Sequence, residues 1–201
     1  MASGERSAAA ESSDDAEDVR LMALAGGGDI AAFERLVERH QNLVIGTVAH
    51  MLGNSSDVED IAQQVFIRVW KNASRYVARA KFTTWLLTIT RNLVFNELRR
   101  RKRQNIVPLQ GEEEGEERPL PDDRTPEPGA ALLDRELDQA IRAAIAELPE
   151  TQRMAVVLRR YDELSYEEIA AVLDQTVPAV KSLLFRARTE LRQRLSRYLE
   201  R

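Results

Sequence analysis

The sequence predicts an all-α protein: two small helical domains joined by a flexible acidic linker, the C-terminal one a helix-turn-helix. Three observations predict it. Apolar residues recur at steps of three and four along the chain, and no sustained alternation with turn punctuation marks a strand. The stretch 105–130, NIVPLQGEEEGEERPLPDDRTPEPGA, carries five prolines and three glycines and hardly an apolar pair. Such a segment cannot offset its ordering entropy by burial. The stretch 164–195, LSYEEIAAVLDQTVPAVKSLLFRARTELRQRL, reads as a short capped helix, a turn and a second helix. The expected organisation is a disordered acidic tail over 1–18, a domain over 19–104, the linker over 105–130 and a second domain over 131–201.

In the first domain Phe33, Leu36, Val37, Val44, Val48 and Met51 fall at helical steps, with Asp29 as N-cap. Gly53-Asn54-Ser55-Ser56 breaks that helix. The next, 57–72, opens with Asp57, Glu59 and Asp60, acids suited to a helix N-terminus, and its apolar face is Ile61, Val65, Phe66, Val69 and Trp70. A loop over 73–81 leads to a long helix over 82–103. Further helices are expected near 131–147, 150–160, 165–172 and 177–199.

Composition excludes whole classes of chemistry. Of 201 residues none is cysteine, so disulfide scaffolds, thiol nucleophiles and Cys-ligated zinc are out. His40 and His50 are the only histidines. No Gly-rich phosphate loop or metal-ligand spacing accompanies the carboxylates, so no enzyme, no cofactor and no metal site is expected. No run approaches the roughly 18 apolar residues of a membrane span, and no apolar signal sequence opens the chain. A cytoplasmic protein without membrane contact of its own is the expectation.

Charge is segregated. Residues 20–104 hold fourteen basic and seven acidic residues, 105–130 two and eight, and 181–201 seven and two. The net charge of −4 hides two basic stretches, and basic stretches are the electrostatic footprint of nucleic-acid binding. In 164–195, Ser165 and Glu168 form a capping box, and Pro178 sits where a first-turn proline is tolerated. On the following helix Val180, Leu184, Ala187 and Leu191 share one face. Lys181, Ser182, Phe185, Arg186 and Thr189 point the other way, toward a DNA groove. The helix 82–103 sets Leu86, Leu87, Ile89, Leu93, Val94 and Leu98 on one arc. Thr88, Arg91, Asn92, Phe95, Asn96 and Arg99 occupy the other, with Trp85 at its edge. Amide, aromatic and basic side chains on one strip suit unstacked bases, and Tyr76 in the preceding loop adds a stacking surface. The exposed acids and amides of 57–72 suit a protein partner rather than phosphates.

These motifs, in this order over about 19–199, resemble the extracytoplasmic-function sigma factors of bacterial RNA polymerase, the group with only the domains sigma-2 and sigma-4. DVEDIAQQVFIRVWKN (57–72) looks like the segment that docks on the polymerase clamp, and FTTWLLTITRNLVFNELRRRKR (82–103) like the one that melts and reads the −10 element. LPETQRMAVVLRRYDELSYEEIAAVLDQTVPAVKSLLFRAR (148–188) looks like sigma-4, which reads the −35 element. The resemblance implies Asp57, Asp60 and Gln63 as the core-polymerase surface. It implies Tyr76 and Asn92 as −10 contacts, to which the strip on 82–103 adds Trp85 and Arg99, and Lys181, Ser182, Phe185 and Arg186 as −35 contacts. Its partners would be core RNA polymerase (the clamp of the largest subunit and the flap of the second largest), promoter DNA and an anti-sigma factor. Three positions depart from the family pattern: Gln64 for a usual Glu, Pro178 for a common Gly, and Leu183 for a frequent basic residue. The alternative is a helix-turn-helix regulator that binds duplex DNA without being a polymerase subunit. It leaves the strips on 57–72 and 82–103 without a task.

Overall fold

The computed structural model describes residues 2–53, 56–106 and 130–199. Among them the secondary structure is helical throughout: α1 (Ala2–Gly26), α2 (Ile30–Leu52), α3 (Asp57–Asn72), a 3-10 turn (Ala73–Arg75), α4 (Phe82–Ile106), α5 (Ala130–Ala146), α6 (Glu150–Arg160), α7 (Tyr166–Leu173), α8 (Val177–Arg194) and α9 (Ser196–Leu199). The all-α expectation holds, and most of the expected linker, 107–129, lies outside the described residues.

The expectation of a disordered tail over 1–18 is corrected: α1 runs from Ala2 to Gly26. Its last turns bury Leu21, Met22 and Ala25. Its acids find bases on α2. Asp18, 2% exposed, accepts from Arg39 Nε at 2.8 Å and lies 2.8 Å from His40 Nε2. Compensated in this way, a carboxylate can be buried without its full desolvation cost. Charge content alone hid the helix, because the partners lie more than twenty residues away in sequence. Where α1 ends, a Cβ on Gly26 would stand 2.9 Å from the Ala73 carbonyl oxygen, so only glycine allows the 3-10 turn to pack there.

Asp29 caps α2 as expected, its Oδ1 accepting from Ala32 N at 3.0 Å. The helix buries Leu36, Val44, Val48 and Met51. Against it pack Val58, Ile61, Val65 and Val69 of α3, and Phe82, Leu86, Leu87, Leu93 and Val94 of α4. The same apolar cluster continues without interruption into Met154, Ala155, Val157 and Leu158 of α6, Ile169 and Leu173 of α7, and Val180 of α8. The two halves of the chain therefore share a core. α4 lies against α7, and α2 against α6. Polar contacts seal this seam. Thr47 Oγ1 is 3.0 Å from Asp162 Oδ2, and Arg153 Nη1 donates to the Met51 carbonyl at 2.8 Å. The His50 and Tyr161 rings stack at 3.7 Å.

Candidate nucleic-acid and partner interfaces

The C-terminal interface begins with the capping box. Glu168 N donates to Ser165 Oγ at 3.2 Å, and Ser165 N donates to Glu168 Oε2 at 2.8 Å, so two orphan amides of α7 are satisfied reciprocally. The other Glu168 oxygen pairs with Lys81 at 2.9 Å. Burial alone would raise the Glu168 carboxyl; the Ser165 and Lys81 donors outweigh it and hold it below the usual range. The turn places Asp174 in the left-handed region, with φ 55°. Thr176 then caps α8 by accepting from Ala179 N, with a proline in the first turn as expected. On α8, Val180 and Ala187 are sealed in the core, while Lys181, Ser182 and Arg186 are exposed. Phe185 is 71% exposed. Leu183, which departs from the family pattern, packs against the core.

On α3 the exposed residues include Glu59, Asp60, Gln63, Gln64, Ile67 and Trp70. Positions 60, 63, 67 and 70 form one strip down the helix. It passes from an acid through an amide to two large apolar side chains, with Ile67 45% and Trp70 36% exposed. Helical period had placed Trp70 on the buried face. The structure instead lays its ring against Phe33 at 5.0 Å and leaves the outer edge open. Ile67 is the apolar residue that sequence reading missed; its position two residues from both buried Val65 and Val69, about 160° around the helix, was the available signal. Asp57 is only half exposed. Its Oδ2 accepts from Arg101 Nη2 at 2.7 Å, which ties the start of α3 to the end of α4.

The α4 strip separates into two parts. Tyr76, Phe82 and Trp85 form an aromatic cluster at the helix start, with Tyr76 and Trp85 rings 4.9 Å apart and edge-on. The Tyr76 hydroxyl is buried. Burial, then the nearby Asp15 and Asp18, raise its pKa. Asp15 Oδ1 accepts from Phe82 N at 2.7 Å, so an acid of α1 caps α4. Further along, Asn92, Asn96 and Arg99 are exposed. Arg91 Nη2 and Nε donate to Asn92 Oδ1 at 2.6 and 3.2 Å. Arg99 Nη2 donates to Asn96 Oδ1 at 2.5 Å, and its Nε donates to the Phe95 carbonyl. The terminal basic run is partly spent internally: Arg100 and Arg101 both bind Glu97, and Arg101 also reaches the Leu52 carbonyl. The structure thus brings Tyr76 and Trp85 together and sets Asn92 and Arg99 apart from them, farther down the helix.

Among the described residues no group of three or more His, Cys, Asp or Glu side chains is arranged to hold a metal ion. No helix there is long and apolar enough to cross a membrane.

Comparison with known proteins adds to this geometry. The family model for sigma-70 region 2 matches residues 36–104, and that for sigma-70 region 4 matches 138–191. The chain is 31% identical over 176 residues to the RNA polymerase sigma-H factor of Pseudomonas aeruginosa, covering 86% of this chain and 90% of that protein. It is 37% identical over 165 residues to the ECF RNA polymerase sigma-E factor of Escherichia coli K12, covering 80% of this chain and 85% of the relative. Among solved structures it is similar to CnrH in complex with the cytosolic domain of CnrY. The TM-score is 0.66 at 25% identity, over 90% of this chain and 97% of that one.

Proposed function

The chain belongs to the extracytoplasmic-function sigma factors of the sigma-70 family and is an RNA polymerase sigma factor, and from that premise we propose how its surfaces divide the work. The α3 strip, with Asp60 and Gln63 at one end and Ile67 and Trp70 at the other, docks on the clamp of the largest polymerase subunit. Asp57 supports that strip through Arg101 rather than meeting the partner itself. The unit over 19–104 reads and opens the −10 element with Asn92 and Arg99. Tyr76 and Trp85 act there as the aromatic wall against which a base leaves the stack. Unstacking costs a few kcal/mol, least where the strands already separate, and a wall that receives the base offsets it. The unit over 131–201 reads the −35 element with Lys181, Ser182, Phe185 and Arg186 of α8, and touches the flap of the second-largest subunit. The acidic stretch 105–130 joins them near the RNA exit path. Polymerase performs the chemistry, so the chain itself is no enzyme. It works in the cytoplasm, where promoters and polymerase are, and an anti-sigma factor holds it off, as CnrY accompanies CnrH in the similar structure.

One observation carries the reading. The acid-amide-apolar strip of α3 and the amide-basic strip of α4 lie on neighbouring, mutually packed helices, so docking and reading are mechanically one unit. A duplex-binding regulator has no use for either. The test mixes the purified full chain with bacterial core polymerase on a size-exclusion column and adds a promoter-fragment library. Co-elution with selective initiation supports the proposal. A chain that stays apart from core and shifts duplex DNA alone overturns it.

A further inference from the structure

Two asparagines on the exposed face of α4 stand four residues apart, Asn92 and Asn96, and therefore on one face of the helix. Each is gripped by an arginine on its Oδ1 side: Arg91 on Asn92 at 2.6 and 3.2 Å, and Arg99 on Asn96 at 2.5 Å. A guanidinium carries five donors and no acceptor. The carboxamide atom facing it must therefore be the oxygen, which fixes the orientation of both amides. A carboxamide oxygen has two lone pairs, and on Asn92 the two Arg91 donors take both. What remains for a ligand is the NH2 group, which only donates.

This changes what Asn92 can read. An asparagine with a free amide pairs bidentately with adenine, accepting from N6 and donating to N7. With Oδ1 filled, the accepting half of that pair is lost. An NH2 group can still donate to guanine O6 or N7, to thymine O4, or to N3 and O2 of an unpaired cytosine; toward adenine it keeps the single bond to N7 and meets the amino group donor to donor. Resting on the assignment of Asn92 to the −10 strand, we propose that Arg91 is a positioning residue for promoter specificity: it makes Asn92 a donor-only reader, which has lost the bidentate preference for adenine and leaves bases with acceptors alone on that edge at an advantage. Asn96 receives a single donor from Arg99 on its Oδ1, which keeps a lone pair, so the restriction falls on Asn92.

The experiment uses holoenzyme reconstituted from the full chain and bacterial core polymerase. A promoter selected with the wild type is randomised at each −10 position, and initiation is read by sequencing the transcripts. The wild type is expected to show no preference for adenine at the position Asn92 meets. Arg91→Ala frees Oδ1 and raises adenine at that position by about tenfold relative to the other bases, within the range of one bidentate contact. Asn92→Ala flattens the preference at the same position. A uniform loss for Arg91→Ala on every base, with Asn92→Ala still flattening one position, overturns the inference alone and makes Arg91 a phosphate contact. If Asn92→Ala initiates with an unaltered preference everywhere, the −10 assignment fails and the inference falls with it.

Discussion

Phe185 keeps 71% of its surface in water, on a helix whose Val180 and Ala187 are fully buried. Nothing inside the molecule is gained by an outward phenylalanine there, so its removal separates stability from function. Phe185→Ala is expected to leave the unfolding free energy within about 0.5 kcal/mol, as surface changes do, while lowering −35-dependent initiation; denaturant titration beside transcription on −35 variants checks both. Arg186→Ala is expected to cost about 1–3 kcal/mol of discrimination at one −35 base if its guanidinium meets a guanine edge, read from the same assay as a lost preference rather than a uniform decline. Such outward positions were legible in the sequence because helical angle alone sorts them from the core. Tyr76 was less so. Its place in a loop left its direction open, and only the packing of Phe82, Trp85 and the α1 acids shows that its hydroxyl is buried. Arg91 and Arg99 read as members of a basic strip; that they hold amide oxygens is a matter of rotamers, which spacing does not specify.

The elements behave as their local chemistry demands. The Ser165–Glu168 box, with bonds of 3.2 and 2.8 Å, starts α7 where the sequence placed it. Ser165→Ala is expected to destabilise the protein by about 1 kcal/mol, seen as a lowered midpoint in chemical denaturation, and by more if Glu168 loses its hold on Lys81 as well. On α3, Asp60 is exposed and outside the core. Asp60→Lys is therefore expected to leave the circular-dichroism melt unchanged and to weaken competition for core polymerase, and unaltered competition would count against the α3 strip as the docking face. Period-3.6 spacing put α2, α3, α4 and α6 to α8 in place because their apolar stripes are long and regular. It missed α1 because the stabilising partners of Asp15 and Asp18 are on α2 and α4, and helix formation there follows tertiary contact rather than local periodicity.

At the scale of the molecule, the seam between the halves is the main feature that the sequence withheld. Asp162 sits in it, and burial pushes its carboxyl up to about 6, the Thr47 bond opposing only in part. Thr47 Oγ1 lies 2.8 Å from the Leu43 carbonyl and 3.0 Å from Asp162 Oδ2, yet a hydroxyl has one hydrogen. Both contacts are satisfied together when Asp162 is protonated and donates to Thr47. The packed state thus binds a proton that an open seam releases, so its stability falls as pH rises from about 4 through 6. His50, lowered by burial and then by Arg142, acts in the opposite sense. Comparing variants cancels its contribution: Asp162→Asn is expected to exceed the wild type by about 1–3 kcal/mol at pH 7, the advantage shrinking to near zero below about pH 4, as urea titrations across that range will show. The sequence by itself determined the helices with regular apolar stripes, the capped helix-turn-helix and the outward residues of α3, α4 and α8, because these follow from local spacing and capping chemistry. Only the tertiary structure decided that α1 is a helix, that Asp57 serves Arg101, that Asn92 presents its donors and that the halves share one core. Each of those depends on partners or rotamers that no local pattern encodes.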